Sequence, residues 1–186
     1  MPTDPGPSAR VLPRHLVTVG AVAVVAGLSS LTWAFWPRDA PAPVARSSVS
    51  VTPVDQSGVD AGAYARQLRA AADDARAAAG LPRFGDAACA QPVALARASA
   101  LVGRPLEHAP LNDVRAACPA SDVVAENLSR AQAAPADVVV AWMASPGHRS
   151  NLLDPTLTGM VVACTHDGPQ MLCSQLFTGS TGTPTP

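Results

Sequence analysis

The feature that most limits what this chain can fold into is a run without one charged side chain, Leu16 to Trp36 (LVTVGAVAVVAGLSSLTWAFW). As a helix rising about 1.5 Å per residue it reaches about 31 Å, close to the roughly 30 Å core of a bilayer. Trp33 and Trp36 close one end, where amphipathic rings favour the interface, and Arg10, Arg14 and His15 flank the other. The rival reading is a cleaved secretory signal. Such signals carry apolar regions of only about 7–15 residues, and Ala40-Pro41-Ala42 is a poor cleavage site because of its prolines. The pattern therefore predicts an uncleaved anchor over residues 16–36 behind a cytoplasmic tail of residues 1–15. Arginines flank both ends of the span, so its orientation is decided by other evidence.

Residues 37–60 (PRDAPAPVARSSVSVTPVDQSGVD) combine prolines and serines with almost no large apolar groups, and read as an extended linker. Residues 179–186 read as a similar tail, which leaves 61–178 for the folded unit. The formal charge of -1 and the lack of a basic patch argue against a nucleic-acid partner. With aromatics at 4%, the core is built from valine, leucine and alanine. Small side chains gain less per residue on burial, so crosslinks carry more weight than usual.

Within the unit, Asp60 is placed to cap a helix over Ala61–Ala79 that stops at Gly80 and Pro82, with Tyr64, Leu68, Ala71, Ala75 and Ala78 on one face. A second helix is expected from Asp86 or Gln91 to Val102, ending at Gly103, and a third over Ala136–Ala144 after Pro135. Ser145 is placed to cap a short helix with Pro146 at its first position, reaching Leu153. Thr158–Thr165 and Met171–Thr178 read as strands joined by a turn over residues 166–170.

All four cysteines fall in this unit. If the hairpin centres between Gly168 and Pro169, Cys164 and Cys173 face each other across the strands, which suits a disulfide at a non-hydrogen-bonded pair. Cys89 and Cys118 then pair by elimination. A four-cysteine zinc site is the rival, though no CxxC spacing is present, and four free thiols are the plain alternative. An even cysteine count beyond a membrane anchor favours disulfides and an extracytoplasmic domain.

His108, Glu126 and His148 stand out as groups that could do chemistry, and taken singly each has an ordinary explanation as a surface histidine or a helix-start glutamate. Their setting changes the weighting. Ala-Ala-Ala-Gly-Leu-Pro at 77–82 is followed by an alanine-rich helix, the loop bearing His108, then Ala125-Glu126-Asn127-Leu128. After these come Ala141-Trp142-Met143-Ala144-Ser145-Pro146-Gly147-His148-Arg149-Ser150-Asn151-Leu152-Leu153 and a β-hairpin. This order resembles the bacterial, SCP-like branch of the CAP superfamily, which includes cysteine-rich secretory, antigen 5 and pathogenesis-related proteins. The resemblance implies an α+β domain, a three-layer α-β-α sandwich with a central antiparallel sheet, here preceded by one transmembrane helix.

It also implies a cleft faced by two histidines and two acids. His108, Glu126 and His148 match three of these. The fourth, a glutamate after the tryptophan, is missing, since that stretch reads Met143-Ala144-Ser145. Asn127, Ser145, Arg149 and Asn151 fall at positions that support the cleft. Two imidazoles, His108 and His148, can hold zinc or another divalent cation, with a carboxylate orienting one ring.

Two functions are compatible with this pattern. One is a membrane-tethered interaction module binding a lipid, a glycan or an envelope protein or peptide. The other is a metal-assisted hydrolase of cell-wall or peptide substrates using the same cleft. Ser145 reads as a helix cap rather than a nucleophile, and His166 as an exposed turn residue.

Overall fold

The computed structural model describes residues 53–182. The expected cytoplasmic tail, the 16–36 span and most of the expected linker lie outside the described residues. Among those described, no helix is long and apolar enough to cross a membrane.

Helix α1 (Ala61–Ala78) begins where the Asp60 carboxylate accepts the Ala63 amide, one of the donors a helix start leaves unpaired. Beyond its end Gly80 takes φ +80°, and Pro82 follows. The buried face is rotated from the expected one: it runs through Tyr64, Ala65, Leu68, Ala72, Asp73 and Arg76, and Ala78 is exposed. Two charged residues come inside because each finds polar partners. Arg76 donates to the carbonyls of Pro82, Leu152, Asp154 and Leu157 and stacks on Phe84, while Asp73 accepts the Phe84 amide.

After α1 come β1 (Gly85–Asp86), a 3-10 turn at Ala88–Ala90, α2 (Gln91–Ala100) and α3 (Asn112–Ala117). They are followed by β2 (Val123–Ala131), α4 (Pro135–Ala144), α5 (Pro146–Leu153), β3 (Leu157–Asp167) and β4 (Gln170–Gly179). The strands lie in the order β1-β3-β4-β2. β3 and β4 form the expected hairpin, closed by Gly168 at φ +60°, and β2 runs antiparallel to β4. The sheet is thus antiparallel except at one margin, where β1 pairs in parallel with β3 through Gly85↔Gly159 and Asp86↔Met160.

The helix start considered for Glu126 is not formed. Val123 and Val124 favour extended backbone, and the strand they open carries Glu126 in its middle. Burial on both faces removes the polar alternation that would have announced it.

Side chains alternating along β3 divide the core. Met160, Val162 and Cys164 pack with Tyr64, Leu68, Val138, Trp142 and Leu152 from α1, α4 and α5. Val161 and Ala163 pack with Ala90, Ala94, Val114 and Cys118 from the turn, α2 and α3. Helices therefore cover both faces, giving the three layers. Cys89–Cys118 pins α3 to the turn before α2, and Cys164–Cys173 joins facing positions of the hairpin. Both pairings agree with the sequence reading, and no described cysteine is free for a zinc site. A sequence separation of 29 gives the first bridge about 3–4 kcal/mol of chain-entropy stabilisation.

Ordered structure begins before Ala61 and continues past Thr178. The Val54 amide donates to Gln132, the Gln56 amide to Pro169, and Gln56 is buried. At the other end Thr181 donates its amide and hydroxyl to Asp122.

Candidate functional site

The site is built on β2, the sheet's other edge. Successive residues of a strand point to opposite faces, so Glu126 turns toward α2 and Asn127 toward α5. Glu126 lies almost wholly out of solvent, its side chain 3% exposed. Its Oε1 accepts from Arg97 Nε at 2.7 Å and from the Ser174 hydroxyl at 2.9 Å. Its Oε2 accepts from Arg97 Nη2 at 3.1 Å and pairs with His108 Nδ1 at 2.9 Å. Burial alone would push this carboxyl upward. The Arg97 fork, His108 and Ser174 outweigh that and hold it below its usual value. An ionised carboxylate only accepts, so His108 Nδ1 carries the proton toward it.

Arg97 organises the loop as well as the acid. Besides gripping Glu126 it donates through Nη1 to both oxygens of Asp113 and to the Pro110 carbonyl, and through Nη2 to the Ala109 carbonyl. Every N–H of the guanidinium has an acceptor. The segment carrying His108 is thereby tied to the floor of the site. The sequence reading did not single out Arg97. Its signal was a lone arginine on the face of α2 that buries Ala94 and Ala98.

On the other face, Asn127 is fully buried. It donates to Gln175 at 3.0 Å and to the His148 carbonyl at 3.4 Å, and accepts from Asn151 at 2.9 Å. Asn151 also donates to the Glu126 carbonyl, and Trp142 Nε1 donates to the Leu128 carbonyl. These two side chains cap the outward carbonyls of an edge strand, which would otherwise stay open to pairing. The Trp142-to-Asn151 stretch therefore fixes α5, and His148 with it, against β2.

His148 is half-buried, its ring centroid 6.1 Å from that of Trp142. Burial, with the charge of His108 adding to it, holds His148 below the usual imidazole value. It is neutral at physiological pH. Its Nδ1 has no hydrogen-bond partner among the described residues. A cavity of about 340 Å³ at this edge is lined by His108, Glu126 and Asn151 together with Ala109, Leu111, Val124 and Ala125.

The structure thus joins His108 directly to Glu126 and sets His148 within electrostatic reach of His108. Asn127 and Asn151 hold the two halves together. Ser145 and Arg149 do not take the roles expected of them. Ser145 occupies the cap position of α5, but its hydroxyl makes no capping bond. Arg149 is exposed and its side chain has no partner among the described residues. His166 is exposed in β3, next to the turn.

The residues present do not fit a firm zinc site. Both oxygens of Glu126 are already engaged, and among the described residues no cluster of three or more His, Cys, Asp or Glu has metal-ligand geometry. Only two imidazoles remain as donors, short of the three protein ligands that catalytic zinc uses.

A disulfide-braced α-β-α domain with a polar groove on its edge strand is a defined structural class. The chain belongs to the cysteine-rich secretory protein (CAP) family, whose profile matches residues 69–177. Solved structures with the same fold include an extracellular protein containing an SCP domain from Bacillus anthracis. It is 21% identical, with TM-score 0.58, over 71% of this chain and 45% of that one. A cysteine-rich secretory protein from Staphylococcus aureus is 18% identical, with TM-score 0.53, over 66% and 40%. An outer surface protein from Borrelia burgdorferi is 18% identical, with TM-score 0.56, over 65% and 96%. The match spans under half the length of the first two proteins. No curated protein matches the sequence.

Proposed function

We propose that this chain is a membrane-tethered, extracytoplasmic interaction module whose His108–Glu126–His148 groove binds an envelope ligand. The single observation that carries the reading is the saturation of Glu126. A carboxylate holding four hydrogen bonds, two of them from a buried arginine, is a poor general base, because taking a proton would break that pairing. The groove offers instead His108 and Asn151 on rigid supports, with His148 half-buried beside Trp142. A preformed cleft of this size, with His108, Glu126 and Asn151 set among alanine, leucine and valine, suits a ligand with a polar group beside apolar surface, such as a lipid, a sugar or a peptide end.

The extracytoplasmic placement is supported by the two disulfides, the uncharged 16–36 span and the location that names the B. anthracis and B. burgdorferi proteins. The proline- and serine-rich stretch 37–52 would give reach from the bilayer. The metal-assisted hydrolase reading needs a base that Glu126 does not supply.

The test is a binding and turnover screen on the full chain in detergent micelles, with and without zinc, against total envelope lipid, wall fragments and short peptides. The expected result is saturable binding of one class, weakened at least tenfold in His108→Ala, with no turnover. Turnover of any of these substrates that disappears in a folded His148→Ala protein would overturn the reading.

A further inference from the structure

The other margin of the sheet carries a second feature, distinct from the groove on β2. Strand β3 runs from Leu157 to Asp167, yet β1 covers it only at Gly159 and Met160. From Val161 onward the outer edge of β3 has no strand beside it among the described residues. Which backbone groups face that edge follows from the disulfide. Cys164 and Cys173 lie directly opposite, with Cα atoms 4.1 Å apart. That is the close spacing of a non-hydrogen-bonded antiparallel pair, about 4.5 Å, rather than the about 5.5 Å of a bonded one. The N–H and C=O of Cys164 therefore point away from β4, as do those of Met160, Val162 and His166. Two contacts agree with this phase: Arg69 donates to the Met160 carbonyl and Gln91 to the Val162 carbonyl, both from the outer side.

The open stretch does not lie on bare surface. Its Val162–Cys164 part forms the floor of a cavity of about 640 Å³ walled by α1 and α2. On the α1 side stand Ala61, Gly62 and Ala65, small enough to leave a channel beside the strand, and on the α2 side stand Gln91 and the half-exposed Leu95. Val162, Ala163 and Cys164 are at most 7% exposed. The outward amide groups of Val162 and Cys164 thus sit in a sheltered trough, where an unmade backbone hydrogen bond is costly. The edge lacks the usual protections against pairing: Val161–Asp167 contains no proline and no lysine, and the one register irregularity falls between Leu157 and Gly159. The edge of β2 is treated differently, since Asn151 and Trp142 cap it.

We propose that this trough is a docking site for an extended peptide of another molecule, which adds to β3 as a strand in line with β1 and carries a carboxylate that meets Arg66. Main-chain bonds to the Val162 N–H and to Cys164 and His166 supply the adhesion, and side-chain contacts supply the choice of sequence. Arg66 is exposed on the wall and has no ion-pair partner among the described residues, whereas Arg69 below it is already held by Phe84, Gly85, Met160 and Asp86. The free positive charge selects an acidic peptide and disfavours a second copy of this chain, because two-fold pairing of β3 with β3 would bring like arginines together. The chain's own upstream segment is also poorly placed. Its described residues before α1 are engaged elsewhere, Val54 with Gln132 and Gln56 with Pro169, and none of them lines the trough. This assignment does not rest on the ligand proposed for the His108 groove.

The experiment is hydrogen exchange on the full chain in detergent micelles, read at the amides of β3. The probe is an end-capped heptapeptide of alternating valine and threonine with one central glutamate, and the control carries lysine in its place. The expected result is slowed exchange at Val162, Cys164 and His166 with the glutamate peptide. Binding should be weaker by roughly five- to tenfold for the lysine peptide, and Arg66→Glu should reverse that preference. Protection confined to β2, equal binding of both peptides, or protection that grows with protein concentration in the absence of peptide would each overturn the proposal.

Discussion

Replacing Arg97 with methionine tests the central electrostatic argument. Methionine keeps the unbranched stem out to about the Nε position and removes all five N–H donors. Glu126, with its side chain 3% exposed, would keep only Ser174 and His108 as partners. Breaking one half of a buried ion pair costs about 3–5 kcal/mol, a large share of the roughly 5–15 kcal/mol that holds an ordinary domain together. The pH dependence should change sign too. In the native protein the Glu126 carboxyl is held below its ordinary value of 4.5. Its contribution to stability is therefore complete above about pH 4.5 and is lost as the pH falls through the folded-state value. Without Arg97 the burial of Glu126 goes largely unopposed and lifts that value above 4.5. The group then favours folding when protonated, and stability falls as the pH rises through the raised value. The measurement is urea unfolding of the full chain in micelles at several pH values between 7 and 4, followed by circular dichroism, with urea chosen because it adds no screening salt. Arg97→Met should lose several kcal/mol at pH 7 and progressively less on acidification, and adding Glu126→Gln should recover part of the loss at pH 7. A deficit under about 1 kcal/mol, or one that stays constant across this range, would refute the idea that the pair neutralises a buried charge.

Two further outcomes follow from the packing. A Cβ on Gly179 would lie 1.9 Å from the Thr156 carbonyl oxygen, with further backbone within 3 Å. Gly179→Ala should therefore fall at or beyond the upper end of the about 1–3 kcal/mol typical of overpacking, seen as a lower urea midpoint with the same slope; an unchanged midpoint would show that the strand end yields freely. His148 is held below its ordinary value of 6.5 by burial and then by His108, so the unfolded chain takes up the proton first and stability declines as the pH drops below about 6.5. His148→Phe should flatten the stability profile between pH 7 and the folded-state value, measured by urea midpoints, and an undiminished slope would place the titration elsewhere.

Much of this could be read from residue order. Turn and cap chemistry is local, so Asp60, Gly80, Pro135, Pro146 and Gly168 marked the ends of elements close to where they occur. The hairpin register followed from its turn, and with it the facing cysteines and both disulfide pairings. The block from Trp142 to Asn151 and the Glu126-Asn127-Leu128 triplet carried the family resemblance and with it three of the groups now found at the site. Local chemistry did not reveal β2. A strand covered on both faces shows no alternation, and a glutamate at its centre looks like a helix start until its partners are known.

Those partners were the decision of the tertiary structure. Arg97, Ser174 and Gln175 are ordinary residues in the sequence, separated from Glu126 and Asn127 by tens of positions, and only sheet pairing and helix packing bring them together. The same packing rotates α1 so that Arg76 and Asp73 are buried, leaves Arg149 outside, and opens the edge of β3 from Val161. Sequence determines which groups are available and where the backbone turns, because those are properties of a few neighbouring residues. Whether a buried carboxylate is a base, a ligand or one half of an ion pair depends on the charges folded against it, and those come from distant parts of the chain.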